Sequence, residues 1–254
     1  MKRLFVICCL ALCLTACAEE NKQIVVPVAG FGGTSMATYN QKKAEMLQML
    51  QNEFPKLKPN VIQAMDSIPR MFFVNDVVRH RSYEDLALPI GSNQATLKPS
   101  EIGFLLSEID LQPTDSVLEI GTGTGYLASV MSRLADQIYS VEIIEYLSEL
   151  ARGFIERLQI ENVKLKNANG LKGWDRYAPF DVIIVTAAVK EWPEPLVEQL
   201  KMGGKIAAPF INEEDSCEWI LAVKTETGLE EFARRKTNIA PAINDIDAID
   251  ADKL

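Results

Sequence analysis

Val117-Leu-Glu-Ile-Gly-Thr-Gly-Thr-Gly-Tyr126 carries an apolar run into an acid and then into a turn with three glycines at alternate positions. Glycine permits φ > 0 and lets a ligand approach the backbone without meeting a Cβ. Tyr126 to Leu134 has a helical pattern, so its first N–H groups would face whatever the turn holds. The segment reads as a nucleotide-type binding loop between a strand and a helix, with Gly121, Thr122, Gly123 and Gly125 at its centre.

Outward from this turn the chain alternates. Strands are expected at Ser116–Ile120, Gln137–Val141, Asn162–Lys166, Asp181–Thr186 and Gly204–Pro209. Helices are expected at Glu145–Leu158 and near Pro195–Leu200. Apolar strands alternating with helices argue an α/β fold with a mostly parallel sheet covered on both faces. Glu218–Lys224 and Glu230–Lys236, joined by Thr225-Glu-Thr-Gly228, read as a hairpin and hence an antiparallel C-terminal edge. Upstream, Ala44, Leu47, Leu50 and Phe54 form a helical stripe within Thr38 to Phe54, and Pro59-Asn60 opens a short helix through Met65. Pro99-Ser100 starts a further helix with Ile102, Leu105, Leu106 and Ile109 on one face.

The first residues carry a different message. Met1-Lys-Arg is a positive start, Leu4 to Leu14 is a short apolar run, and Leu14-Thr-Ala-Cys17 follows. That run is too short for a bilayer span of roughly 20 residues and has the proportions of a secretory signal. Leu-Thr-Ala-Cys resembles the bacterial lipobox, which implies cleavage after residue 16, lipidation of Cys17 and a lipid-anchored place in the cell envelope. An ordinary signal peptide, or a cytoplasmic protein starting at Met36, are the other readings. Residues 17–37 then form a Gly-containing tether, 38–242 the globular domain and 243–254 an acidic tail. The tail's alternating aspartates lack the central Gly and terminal Glu of an EF-hand loop.

Of five cysteines, Cys8, Cys9 and Cys13 would leave with the leader, Cys17 would carry lipid, and Cys217 would remain in a strand as a core thiol. Neither a disulfide framework nor a metal site is expected. Loss of Lys2 and Arg3 with the leader takes the net charge from −9 to −11. So acidic a chain is a poor polyanion binder, and no nucleic-acid partner is expected.

The glycine spacing is G-x-G-x-G, not the G-x-G-x-x-G of dinucleotide folds, which argues against a nicotinamide-dependent oxidoreductase. Glu119 precedes the turn. The second strand ends in Ser140-Val-Glu142, whose carboxylate offers two acceptor oxygens to two vicinal ribose hydroxyls. Together these features resemble the Rossmann-like S-adenosylmethionine-dependent methyltransferases. Five further stretches are similar to the protein-L-isoaspartate O-methyltransferase family. They are Ile68-Pro-Arg70 with Phe73, Tyr83-Glu-Asp-Leu-Ala-Leu-Pro-Ile-Gly91, Gly173-Trp174, Phe180-Asp-Val-Ile-Ile-Val-Thr-Ala-Ala188 and Gly203-Gly204. The similarity runs over roughly residues 42 to 242.

The resemblance implies methyl transfer from S-adenosylmethionine to the α-carboxylate of an isoaspartyl residue in a damaged protein or peptide, by a monomer. The ester then cyclises to a succinimide that reopens partly to aspartate. A carboxylate is already a nucleophile at neutral pH, so in-line positioning is the main requirement. The single histidine, His80, is read as a surface residue and not a base. Gly121, Gly123 and Gly125 would hold the methionine part of the cofactor, Glu142 its ribose, and Asn169 with Gly170 its adenine. Asn169 replaces the family's acid and keeps a carbonyl acceptor.

The chain departs from the family most in the substrate loop, Asn93-Gln-Ala-Thr-Leu-Lys-Pro99. The family's active-site hydroxyl falls on Leu97 and the preceding Thr on Ala95, with Gln94 retained. Leucine neither donates to nor orients a carboxylate. Thr96 is the nearest hydroxyl and the candidate catalytic contact, but in extended chain neighbouring side chains face opposite ways. A bulged or shifted loop is needed for it to serve. The alternative function is a non-catalytic or altered-specificity S-adenosylmethionine-binding lipoprotein.

Overall fold

The computed structural model describes residues 35–212 and 216–239. The expected leader, Cys17, most of the expected tether and the acidic tail lie outside the described residues. Helix α1 (Met36–Glu53) begins two residues before the expected domain start, where Ser35 Oγ accepts a hydrogen bond from Thr38 N at 3.1 Å and caps it. Its buried face is Tyr39, Met46, Leu47 and Leu50, with Phe54 half-buried beyond its end. Ala44 is exposed, contrary to the stripe expected from sequence. A methyl group contributes little to burial, so the larger Met46 and Tyr39 set the helix's rotation.

Helix α2 (Pro59–Ser67) leads through two 3₁₀ turns to a small hairpin, β1 (Pro89–Gly91) and β2 (Gln94–Ala95). Helix α3 (Pro99–Ile109) opens on a proline, and the Glu101 carboxylate accepts from Lys98 N at 2.9 Å. The main sheet follows: β3 (Ser116–Ile120), α4 (Tyr126–Met131), β4 (Gln137–Glu142), α5 (Glu145–Arg157), β5 (Val163–Asn167), β6 (Phe180–Val185), α6 (Glu194–Glu198), β7 (Leu200–Ile211), β8 (Cys217–Thr225) and β9 (Gly228–Thr237). The order is β5-β4-β3-β6-β7-β8-β9. The first five strands in this order pair in parallel, while β7–β8 and β8–β9 are antiparallel. This is the expected Rossmann-like sheet with its antiparallel edge. The helix after the glycine turn ends at Met131, three residues short of expectation, and Cys217 is buried at the start of β8.

Strand alternation sorts the core into two faces. Val117, Ile138, Val182, Ile184 and Leu221 pack beneath α1 to α5 with the fully buried Trp219. Leu118, Val141, Ile183, Val185 and Ile206 pack on the other face with Leu196 of α6 and the aromatic edge of Trp174 and Tyr177. Each such side chain, once buried, contributes roughly 1.5–3 kcal/mol. The strand order reverses direction between β3 and β6, and in open α/β sheets ligands bind beyond the carboxyl ends of strands at such a point. The glycine turn leaves β3 there.

Candidate active site

Where β3 ends, the backbone turns with φ of +93° at Gly121 and +89° at Gly125, values that L side chains rarely adopt. Thr186, at the end of neighbouring β6, fixes the turn. Its N–H donates to Ile120 O at 2.9 Å and its hydroxyl to Gly121 O at 2.8 Å. A Cβ on Gly121 would stand 2.3 Å from Thr186 Oγ1. At Gly125 a Cβ would press on Ala151 of α5 at 3.2 Å, so this glycine lets α4 start against α5.

Glu142 closes the other side. One carboxylate oxygen accepts from Gly123 N at 2.7 Å and the other from Ile144 N at 2.9 Å, tying the glycine turn to the β4–α5 connection. The group is nearly buried, and burial raises its pKa against the lowering effect of these backbone bonds. Each oxygen keeps acceptor capacity beyond one N–H bond, so the carboxylate can still receive hydroxyls from the cleft. Also lining the cleft, Asn169 accepts through Oδ1 from Leu171 N at 3.0 Å, capping the short turn that starts at Gly170. Its carbonyl is thus shared with the backbone, a commitment its residue type alone did not reveal.

Glu119 is fully buried beneath the turn. Ser140 Oγ donates a short hydrogen bond to one of its oxygens, and Thr122 Oγ1 lies 2.6 Å from Ser140 Oγ. The other oxygen, Oε1, has no partner. Burial pushes the carboxyl up to about 8, with the nearby Glu142 adding to the rise and the Ser140 bond opposing it. Glu119 lines a chamber of about 60 Å³ with Tyr126, whose buried hydroxyl is also unpartnered. That chamber shares walls with the main cleft, about 210 Å³, which Gly121, Gly123, Glu142, Asn169 and Gly170 line on one side and residues 93–98 on the other.

The loop forming that second side hangs from Arg70. This guanidinium is completely buried, and desolvation lowers its pKa. It donates to Ser82 O, to Leu86 O at 2.9 Å, to Leu97 O at 3.0 Å and to Thr96 Oγ1 at 2.8 Å. Leu88 N also donates to Thr96 Oγ1, at 3.1 Å, and Thr96 N returns a bond to Leu88 O at 2.9 Å. Thr96 therefore lines the cleft with its oxygen accepting from two fixed donors. Leu97 packs partly against the main core, Ala95 is exposed, and Gln94 Nε2 donates to Ser92 O at 3.3 Å. No hydroxyl occupies position 95 or 97, and the hairpin brings none in its place.

The cleft suits S-adenosylmethionine. A carboxylate for hydroxyls, an amide and a Cβ-free turn line it, and the residue with the orphaned buried carboxyl oxygen lines the adjoining chamber. Residues 40–239 match the model of the family described as protein-L-isoaspartate(D-aspartate) O-methyltransferase. The chain belongs to this family. A protein-L-isoaspartate O-methyltransferase of Roseobacter denitrificans is 36% identical over 204 residues, covering 80% of this chain and 95% of the relative. One from Methylobacillus flagellatus is 38% identical over 204 residues, covering 80% and 89%. A solved protein-L-isoaspartate O-methyltransferase superposes with a TM-score of 0.72 at 30% identity, covering 79% of this chain and 65% of that one. A Plasmodium falciparum beta-aspartate methyltransferase, solved with S-adenosyl-L-homocysteine, shares the fold at a TM-score of 0.69 and 20% identity.

Within this isoaspartyl methyltransferase frame, three contributors escaped the sequence reading. Thr186 lay inside a recognised motif without a role. Arg70 acts across 26 residues on Thr96, a contact no local pattern announces. Lys98 lines the cleft beside Leu97. His80 is exposed, as expected, and does not line the cleft.

Proposed function

We propose that this domain is an S-adenosylmethionine-dependent carboxyl methyltransferase acting on isoaspartyl residues of proteins or peptides. The observation that carries the reading is one continuous cleft with the glycine turn and Glu142 on one wall and the Arg70-held loop on the other. When bound, S-adenosylmethionine supplies an electrophilic methyl group. Glu142 accepts from hydroxyls, Asn169 offers its amide to the same cleft, and the turn leaves room for close approach. The loop from residue 93 to 98 orients the acceptor, whose carboxylate is ionised at neutral pH and needs no base. Alignment of the reacting atoms is then the main contribution of the protein.

Calorimetric titration with S-adenosylmethionine, followed by methyl transfer to an isoaspartyl peptide, tests this. Absence of binding rejects it. Binding without transfer favours the second reading, an S-adenosylmethionine-binding protein with lost or altered acceptor chemistry, which Leu97 and the committed Thr96 oxygen support. The Leu14-Thr-Ala-Cys17 stretch further supports anchoring of the protein on the envelope side of a membrane. Labelling with a radioactive fatty acid checks that: equal incorporation in wild type and Cys17→Ala rejects it.

A further inference from the structure

A cleft that accepts a carboxylate must offset that charge, and its own side chains work against it. Glu101 and Glu142 line the cleft. Hydroxyls are missing from positions 95 and 97, and the Thr96 oxygen is taken up by Arg70 and Leu88. Among the described residues lining the cleft, Lys98 is the one Lys, Arg or His. It is half-buried, and no hydrogen bond or ion pair to its ammonium occurs among the described residues. Its nearest acid in sequence is committed elsewhere: Glu101 accepts from Lys98 N and from Thr237 Oγ1.

The stem of Lys98 rises from fixed backbone. Its N–H is held by Glu101, and its carbonyl accepts from Glu101 N at 3.1 Å and Ile102 N at 3.2 Å. Pro99 stiffens the next position. A partly buried lysine on the cleft wall, its ammonium without a partner among the described residues, is available to an anion delivered into the same cleft. We propose that Lys98 binds the carboxylate of the methyl acceptor, replacing by charge the hydroxyl that Leu97 lacks. The assignment rests on the carboxyl-methyltransferase reading and names the group that makes such an acceptor acceptable here.

The test is titration of an isoaspartyl peptide into the purified protein saturated with S-adenosyl-L-homocysteine, for wild type, Lys98→Gln and Lys98→Arg, with methyl transfer scored in parallel. Loss of one charge-assisted hydrogen bond predicts about 10- to 100-fold weaker peptide binding in Lys98→Gln. Lys98→Arg stays near wild type, S-adenosyl-L-homocysteine affinity is unchanged in both, and added salt weakens peptide binding to wild type more than to Lys98→Gln. Equal peptide affinity in wild type and Lys98→Gln overturns the assignment, and so does a matching loss of S-adenosyl-L-homocysteine affinity. Failure of the peptide to bind wild type overturns it too. Lys98-dependent binding without methyl transfer supports the assignment while rejecting isoaspartyl methylation. Methyl transfer with the same KM in Lys98→Gln rejects the assignment and leaves isoaspartyl methylation standing.

Discussion

Glu119 combines full burial, one short bond from Ser140 and one oxygen with no partner. Its carboxyl is pushed up to about 8 from an ordinary 4.5. Between these values the folded protein holds a proton that the unfolded chain has released, so stability falls as pH rises through that window. Glu119→Gln removes the titration while keeping the shape. Urea melts of the ligand-free protein at pH 5, 7 and 8.5 should show wild type losing ground to Glu119→Gln as pH rises. Parallel stability curves for the two proteins would reject this account. The acid before the turn was legible in the sequence, but not its protonation, because the Thr122–Ser140–Glu119 chain joins residues from two strands.

At the scale of elements, the central strands were legible because continuous apolar runs bounded by glycine suit a sheet buried on both faces. The β7–β8–β9 edge announced itself through its turn at Thr225 to Gly228. Helix α1 was found but misrotated, since Ala44 counts as apolar by type and buries almost nothing. Arg70 was quoted within a motif, but its role was not legible. Buried arginine is uncommon, and its acceptors lie 12 to 27 residues away. Arg70→Ala leaves three carbonyls without this donor and Thr96 Oγ1 with Leu88 N alone, and should cost about 3 kcal/mol or more. Hydrogen exchange should then accelerate across residues 82–97 before it does in β3 or β4. Uniform acceleration throughout the protein would show that Arg70 supports the whole fold and not this loop in particular.

For the molecule as a whole, the cleft draws its walls from the N-terminal hairpin, the ends of β3, β4 and β6, and Asn238 and Ile239 beyond β9. A ligand seated there restrains the hairpin, the sheet ends and the last described residues together. At a hundredfold excess over Kd, S-adenosylmethionine adds about 2.7 kcal/mol, which for a domain of this size raises Tm by roughly 5–10 °C. The chain trimmed to residues 35–239 should show the same rise by calorimetry, and a smaller one would mean that residues outside this span help hold the cofactor. The Arg70 bonds have one more consequence. Three of the four go to backbone carbonyls, which every residue type supplies, so the path of the loop is indifferent to the side chains at 95, 97 and 98. Its form and its selectivity are separable, and the acceptor wall can exchange one chemistry for another without being rebuilt.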